Sequence, residues 1–474
     1  IGSTMPTLHP SITLATLITS GAKDPALYNN LITLYSKSPS TLPQALHLFN
    51  NLPFKPTTVS WTSIISAHSL HSPPSSLALF LSMLRSRALP NQGTISSLLR
   101  TFSSSYPLGL QLHSLSLKLA LNNFPFSGSA LVHFYANSGL PGDALKVFDE
   151  ILHRDEVCYG AAIVGLAQND RAGDAIRLFG MMRRDGIRST MYDVSGVLRA
   201  AAYLAALEQT RVVHAHAVVV GLDSDFVVGT ALVDAYGKSG IVSDARRVFD
   251  CFVDDGCNLV TWNAMLAAYA QQGDAEAATE LFDEMIERRN FVPDEVTFLA
   301  VLTACSNTGL VAETRRWLDL MWSHYGVEPR IEHCTCLVGA MARVGQLEDA
   351  ERFATTMPFE PDAAVWRTLL SGCMVHNSVE LGRKVARRLI EIDPRDESAY
   401  VMLANIYSTA GWKDEVGEVL TAMRDGGVRK ERGRSWIEVK GQVNDFIAGD
   451  MKHEQTMEIY DKVKELANEA KRLS

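Results

Sequence analysis

Apolar positions in this chain return as a two-part phrase at intervals of about 31 to 36 residues. The first part is an aromatic beside a small polar residue, opening an apolar run that ends near Gly. The second is Ala followed four residues later by Phe. Ala45/Phe49, Ala144/Phe148, Ala175/Phe179, Ala245/Phe249 and Ala278/Phe282 keep step, with Ala-to-Ala intervals of 99, 31, 70 and 33. Gly240, Gly273, Gly309 and Gly345 agree, at intervals of 33, 36 and 36. In one copy, Trp262, Met265, Leu266 and Tyr269 lie at helical spacing before Gly273. Ala278, Leu281, Phe282 and Met285 lie at helical spacing after it. Pro293 then ends the unit, because proline cannot continue a helix. The pattern predicts two helices per unit. No alternating strand series runs through the array, so the expected class is all-α. A unit of this size cannot bury its own apolar face, so neighbours must stack into a solenoid.

On this register the units are 25–57, 58–91, 92–124, 125–155, 156–190, 191–225, 226–258, 259–294, 295–330 and 331–362. Their lengths and opening phrases alternate in threes: Val-Thr-Trp-Asn at 260–263, Val-Thr-Phe-Leu at 296–299, Gly-Thr-Ala-Leu at 229–232. Two looser helical pairs follow at 363–396 and 397–433. The last stretch, 434–474, changes character and predicts a hairpin over 435–447 and a closing helix from about 454 to 471. Residues 1–24 form an N-terminal segment in which Ile1 to Thr4 read as a cloning scar before Met5.

Charge changes this picture little. The net charge of −9 does not favour a nucleic-acid partner, but residues 1–124 hold seven Lys/Arg against Asp24 alone, a net of +6, leaving −15 for the rest. The apolar content of 47% excludes a disordered chain, and no apolar run is long enough to span a membrane. Seven scattered cysteines without finger spacing point to a reducing compartment, with Cys305 and Cys373 expected in the core. Zinc-dependent deamination needs an H-x-E and a C-x-x-C. This chain has neither: Cys334-x-Cys336 has the wrong spacing, and Cys251 and Cys257 stand further apart. His214 and His216 point to different faces of a helix, so no metal or other cofactor is expected. The expected role is not enzymatic.

The repeat phrases, their threefold alternation and the tail resemble the pentatricopeptide repeat family of plant organelles. The tail carries Glu332-His333, Met357-Pro358, Glu360-Pro361-Asp362, Ala399-Tyr400-Val401, Asn405-Ile406-Tyr407 and Arg434-Ser435-Trp436-Ile437-Glu438-Val439. The similarity is to the PLS subclass with E and E+ extensions, whose fold is a right-handed superhelical solenoid. The resemblance places repeats over 25–362, E motifs over 363–433 and the E+ extension over 434–474. It implies a specificity factor for cytidine-to-uridine editing of organellar RNA, with one base of single-stranded RNA read per repeat. The fifth and last residues of a repeat read the base, and an apolar second residue wedges between bases. Thr62 with Asn91 and Thr230 with Asn258 then favour adenine, and Asn263 with Asp294 favours uracil. Ser129 with Asp155 and Thr335 with Asp362 lean to guanine. Asn29/Thr57 is irregular, and Ser96/Phe124, Gly160/Thr190 and Leu299/Arg330 are not standard pairs. Ser195 and Asp225 join the base-facing set. Val59, Val157, Val227, Val260 and Val296 are the wedges. If 331–362 reads position −4, Asn263/Asp294 reads −6 and Thr230/Asn258 reads −7.

The chain stops where the family's DYW deaminase would begin. The resemblance therefore implies a deaminase acting in trans, docked on Trp436, Ile437, Phe446 and Tyr460, unless these form the tail's own core. It also implies accessory multiple-organellar editing factors on 92–124, 191–225 and 295–330, a monomer, and a mitochondrial or chloroplast address. Two other readings stay open: an RNA splicing or stability factor, and a protein–protein scaffold.

Overall fold

The computed structural model describes residues 24–253, 258–288, 291–430, 433–439, 442–447, 451 and 455–473. The expectations for 1–23, Cys257 and the hairpin turn at 440–441 lie outside these residues.

The unit opening at Leu259 shows how the sequence builds each pair. Asn258 caps the Leu259–Gln272 helix by accepting the Thr261 N–H at 3.0 Å. Gly273 ends it in the left-handed region at φ +71°, where a side chain is disfavoured. There the Asp274 N–H reaches back to the Tyr269 carbonyl at 3.0 Å, closing a Schellman turn. Asp274 then caps Ala275–Glu287 by accepting from Ala277. The first helix buries Trp262, Met265 and Leu266, and the second buries Ala278, Leu281, Phe282 and Met285. The same pairing runs from Pro25–Tyr35 with Leu42–Asn50 to Glu397–Thr409 with Lys413–Asp425.

The two parts of the sequence phrase meet across unit boundaries. The Phe of one second helix packs on the aromatic opening the next first helix. Phe49 meets Trp61 at 4.8 Å, Phe148 meets Tyr159 at 5.1 Å, Phe249 meets Trp262 at 4.8 Å and Phe282 meets Phe298 at 5.5 Å. Each buried aromatic contributes about 1.5–3 kcal/mol of transfer free energy. The phrase recurs at these four boundaries because its two parts pack together there. Cys305 and Cys373 are core residues.

Internal contacts divide the chain into two compact units, with the boundary after Ala200. Within each, successive first helices pack directly on one another, as Glu156–Gln168 does on Pro125–Asn137 and Leu259–Gln272 on Phe226–Lys238. Successive second helices make no comparable contact among the described residues. The first helices therefore form the tight layer of an all-α solenoid. At the C-terminal end, β1 (Arg434–Val439) and β2 (Gln442–Ile447) pair antiparallel, with Trp436 opposite Asp445, and the Thr456–Leu473 helix follows. No helix among the described residues is long and apolar enough to cross a membrane.

Candidate nucleic-acid interface

The second and fifth residues of a unit lie one turn apart on the same face of its first helix. The last residue caps the next first helix. Stacking of first helices thus brings the fifth residue of one unit to the cap of the next, and three of the expected pairs are bonded there. The Thr62 hydroxyl donates to Asn91 Oδ1 at 3.0 Å. Asn263 Nδ2 donates to Asp294 Oδ1 at 3.1 Å. Thr230 meets the Thr261 hydroxyl at 2.7 Å, and Thr261 in turn donates to Asn258 Oδ1 at 3.1 Å.

Each of these networks contains a third residue that reading by fifth and last positions misses: Thr94, Thr261 or Thr297, three residues after the cap and fully buried. The Thr297 hydroxyl accepts from the Asp294 N–H at 3.2 Å, and its single proton is shared between Asn263 Oδ1 at 2.7 Å and Asp294 Oδ1 at 2.9 Å. The signal was a capping box, Asn or Asp followed three residues later by Thr. Where that position is Cys158 or Val365, the cap carboxylate accepts only the backbone N–H there. Among the described residues the Ser129 and Thr335 hydroxyls bond only to carbonyls of their own helix, Phe126 and Ile331, whereas those of Thr62 and Thr230 add a cross-helix partner to the same kind of bond, made to Thr58 and Phe226.

Burial works against the Asp294 carboxylate, but hydrogen bonds from Thr297, Asn263 and Val296 outweigh it and hold its pKa below the ordinary value. Asp294 is thus an anion at neutral pH. Asn263 keeps one N–H and one carbonyl lone pair beyond its bonds to Asp294 and Thr297.

Val59, Val157, Val227, Val260 and Val296 are all 45–63% exposed although apolar and β-branched. In the first compact unit, Val59, Thr62 and Asn91 line one groove of about 420 Å³ with Lys37 and Ser66. Sequence reasoning missed Phe126 and Tyr192, which hold the same second position, 49% and 60% exposed.

The irregular units show why they are irregular. Gly160 offers no side chain, and the space is taken by Asp193, whose Oδ1 lies 2.6 Å from where a Cβ on Gly160 would stand. Asp193 is fully buried, its Oδ2 accepts the Thr190 N–H and hydroxyl, and its Oδ1 is unpartnered. Burial pushes its pKa up, opposed by Thr190 and assisted by Glu156. Arg330 is drawn into an ion pair with Glu295 at 2.7 Å. Ser96 is buried while Phe124 is exposed. Asn29 is buried with Oδ1 unpartnered, and Thr57 is bonded to Ser60 within its own cap. Ser195 donates to the Tyr192 carbonyl, and Asp225 caps Phe226–Lys238.

Among the described residues no three His, Cys, Asp or Glu side chains come together as metal ligands. His214 is engaged with the Tyr236 hydroxyl at 2.9 Å. Burial pushes the Cys158 and Cys373 thiols up to about 12, so neither is a reactive thiolate. In the tail, Trp436 and Ile437 are exposed, whereas Phe446 and Tyr460 are half-buried. The Trp436 indole N–H donates to the Leu204 carbonyl at 2.6 Å, so its polar edge is engaged within the chain.

Sequence profiles of the PPR repeat match residues 129–155, 157–187 and 230–257, a PPR repeat family profile matches 257–307, and the E motif matches 376–438. A mitochondrial pentatricopeptide repeat-containing protein of Arabidopsis thaliana is 38% identical over 93% of this chain and 69% of its own length. A putative mitochondrial relative from the same plant is 34% identical over 94% of this chain and 71% of its own. Another putative relative is 36% identical over 92% of this chain but is spanned for only 44% of its length. Among solved structures, the pentatricopeptide repeat protein PPR10, crystallised with an 18-nt psaJ RNA element, is similar with a TM-score of 0.65 at 20% identity. That match covers 87% of this chain and 62% of PPR10. With its repeats, its E motif and relatives of this similarity, the chain belongs to the pentatricopeptide repeat family.

Proposed function

We propose that the chain binds single-stranded RNA by sequence and specifies sites of cytidine-to-uridine editing in organellar transcripts. The observation that carries this reading is the set of pairs Thr62/Asn91 and Asn263/Asp294, bonded directly, and Thr230/Asn258, joined through Thr261, each beside an exposed valine. Unstacked bases present hydrogen-bonding edges and faces, and one helical repeat can meet one base with two or three side chains. The free N–H and carbonyl of Asn263 match the adjacent acceptor and N–H of uracil. Thr62 and Thr230, tied into their caps, present a hydroxyl and an amide edge to adenine. The valines intercalate without stability loss, since they are exposed in the free chain. The units with Ser129/Asp155 and Thr335/Asp362 read guanine through less constrained side chains.

In this reading a deaminase acting in trans supplies the chemistry. The exposed Trp436 and Ile437, with the half-buried Phe446 and Tyr460, form its docking surface. Accessory editing factors bind 92–124, 191–225 and 295–330. The mitochondrial names of two relatives support a mitochondrial address over a chloroplast one.

The test is binding of the full chain to RNA with adenine at −7 and uracil at −6, against RNA with the two bases exchanged. A preference for the first that weakens in Asn263→Thr is expected. Equal, salt-insensitive binding to both would defeat the reading, because phosphate contacts weaken steeply with salt.

A further inference from the structure

The geometry points to a base-reading position beyond the last repeat, in which Arg367, aligned by Asp396, takes guanine. This rests on the RNA-binding reading above. The profile matches assign neither residue to it: Arg367 lies outside the matched stretches, and Asp396 falls within the E motif.

Arg367 is the fifth residue of Ala363–Val375, and Asp396 caps the next first helix, Glu397–Thr409. The two therefore occupy the same places as Asn263 and Asp294, and they are bonded in the same way. Arg367 donates to Asp396 Oδ2 from NH2 at 2.6 Å and from Nε at 3.1 Å, and Nε also reaches the Ser398 hydroxyl at 3.2 Å. The Asp396 carboxylate is nearly buried and its Oδ1 accepts the Ser398 N–H at 2.9 Å and the Ser398 hydroxyl. These bonds fix the guanidinium plane. NH1 and one N–H of NH2 remain, side by side, on a side chain that is 43% exposed.

That free edge faces a groove of about 500 Å³ lined by Gly339, Arg343, Arg367, Thr368 and Ser398 among others, with no acidic residue in its lining. Arg343 holds its guanidinium there through the Ser306 carbonyl at 3.2 Å and Asn307 Oδ1 at 3.4 Å. The unshared N–H groups of the Asp396-paired Arg367, beside the Arg343 guanidinium, suit a ligand rich in acceptors. Two parallel N–H donors in a fixed plane match the O6 and N7 acceptors of guanine; adenine and uracil present no two adjacent acceptors, and cytosine presents them only as N3 and O2 on its pairing edge, so the cytosine RNA is the stringent comparison. At one base per repeat, this position lies three nucleotides 3′ of the uracil read by Asn263/Asp294.

The experiment uses the full chain and four RNAs that differ only at that nucleotide, each with adenine at −7 and uracil at −6. We expect guanine to bind about 5- to 10-fold more tightly than the other three, the low end of a bidentate contact. Arg367→Gln is expected to abolish that preference and keep the one at −6 and −7. Arg367→Lys, with the charge but not the fork, is expected to lose it too. Equal affinity of the native chain for all four RNAs, with the −6/−7 preference intact, would overturn this inference alone. A uniform loss in Arg367→Gln, with a shallower salt slope, would overturn it by making Arg367 a phosphate contact. Loss of the −6/−7 preference in the native chain would instead defeat the RNA reading itself. Unchanged helical signal and melting in both variants guard against misfolding.

Discussion

The units at 259–294 and 156–190 have the same helix pair and the same register but opposite chemistry at the reading position. In the first, Asn263, Asp294 and Thr297 form a closed network with a free amide edge. In the second, the fifth residue is Gly160, the cap is Thr190, and the capping-box residue is Asp193, which swings into the empty space and leaves Oδ1 unpartnered. The difference teaches that a reading pair is not two residues but three. The residue three after the cap decides whether the other two are held ready or left loose, and a glycine at the fifth position surrenders the site to its neighbour.

The comparison breaks most sharply at Gly160. Gly160→Asn alone forces a Cβ to within 2.6 Å of the Asp193 carboxylate, so it is expected to destabilise the chain by about 1–3 kcal/mol, as overpacked sites do. Thermal or urea melting reads this. Adding Asp193→Thr and Thr190→Asp removes the clash and copies the Asn263 network. The triple variant is expected to recover stability and to acquire a preference for uracil at the corresponding nucleotide, −9, in the RNA-binding assay. A triple variant that stays destabilised would show that the third residue is not what separates the two units.

A smaller effect is expected from Thr297→Val, which keeps shape and removes the shared hydroxyl. It leaves the Asp294 N–H without its partner and frees Asn263, at about 1 kcal/mol of stability. Discrimination at −6 should fall with it, while that at −7 stays.

The smallest effect is a null one with a defined sign. Asp294 is held charged by its hydrogen bonds, so its folded pKa lies below the unfolded value of 3.8. Its stabilising contribution is present above that value and is lost only as pH falls through the folded pKa. Uracil discrimination should therefore be flat between about pH 5.5 and 8. Over the same range stability should decline toward the acid side. Burial holds His113 and His214 below 6.5, against the charges of Glu150 for the first and of Asp223 and Asp244 for the second. Both imidazoles pair with tyrosine hydroxyls, at 2.7 and 2.9 Å, and a proton added to the unfolded chain below that pH has no equal in the fold. Melting against pH, beside binding against pH, separates the two trends.

The helix pairs, their register and the tail hairpin were legible in the sequence, because helical spacing, turn glycines and cap residues are local signals. The five valines were named through the family resemblance alone, and the structure finds them exposed. The partners of those residues were not legible. Whether Thr62 touches Asn91 depends on how closely one first helix approaches the next across 29 residues of chain. Whether Ser129 meets Asp155 depends on a third residue, Cys158, that has no hydroxyl to offer. Arg367 and Asp396 were not singled out in the sequence, and only the stacking of their helices makes them a pair. Trp436 was expected as a docking residue or as part of the tail's own core, and its bond to Leu204 links residues 232 apart. The sequence by itself determined the period, the caps and the apolar stripes, because each follows from the geometry of a few neighbouring residues. The tertiary structure decided which polar side chains face one another across the stack, because hydrogen bonds need distances near 3 Å that no spacing along the chain can set.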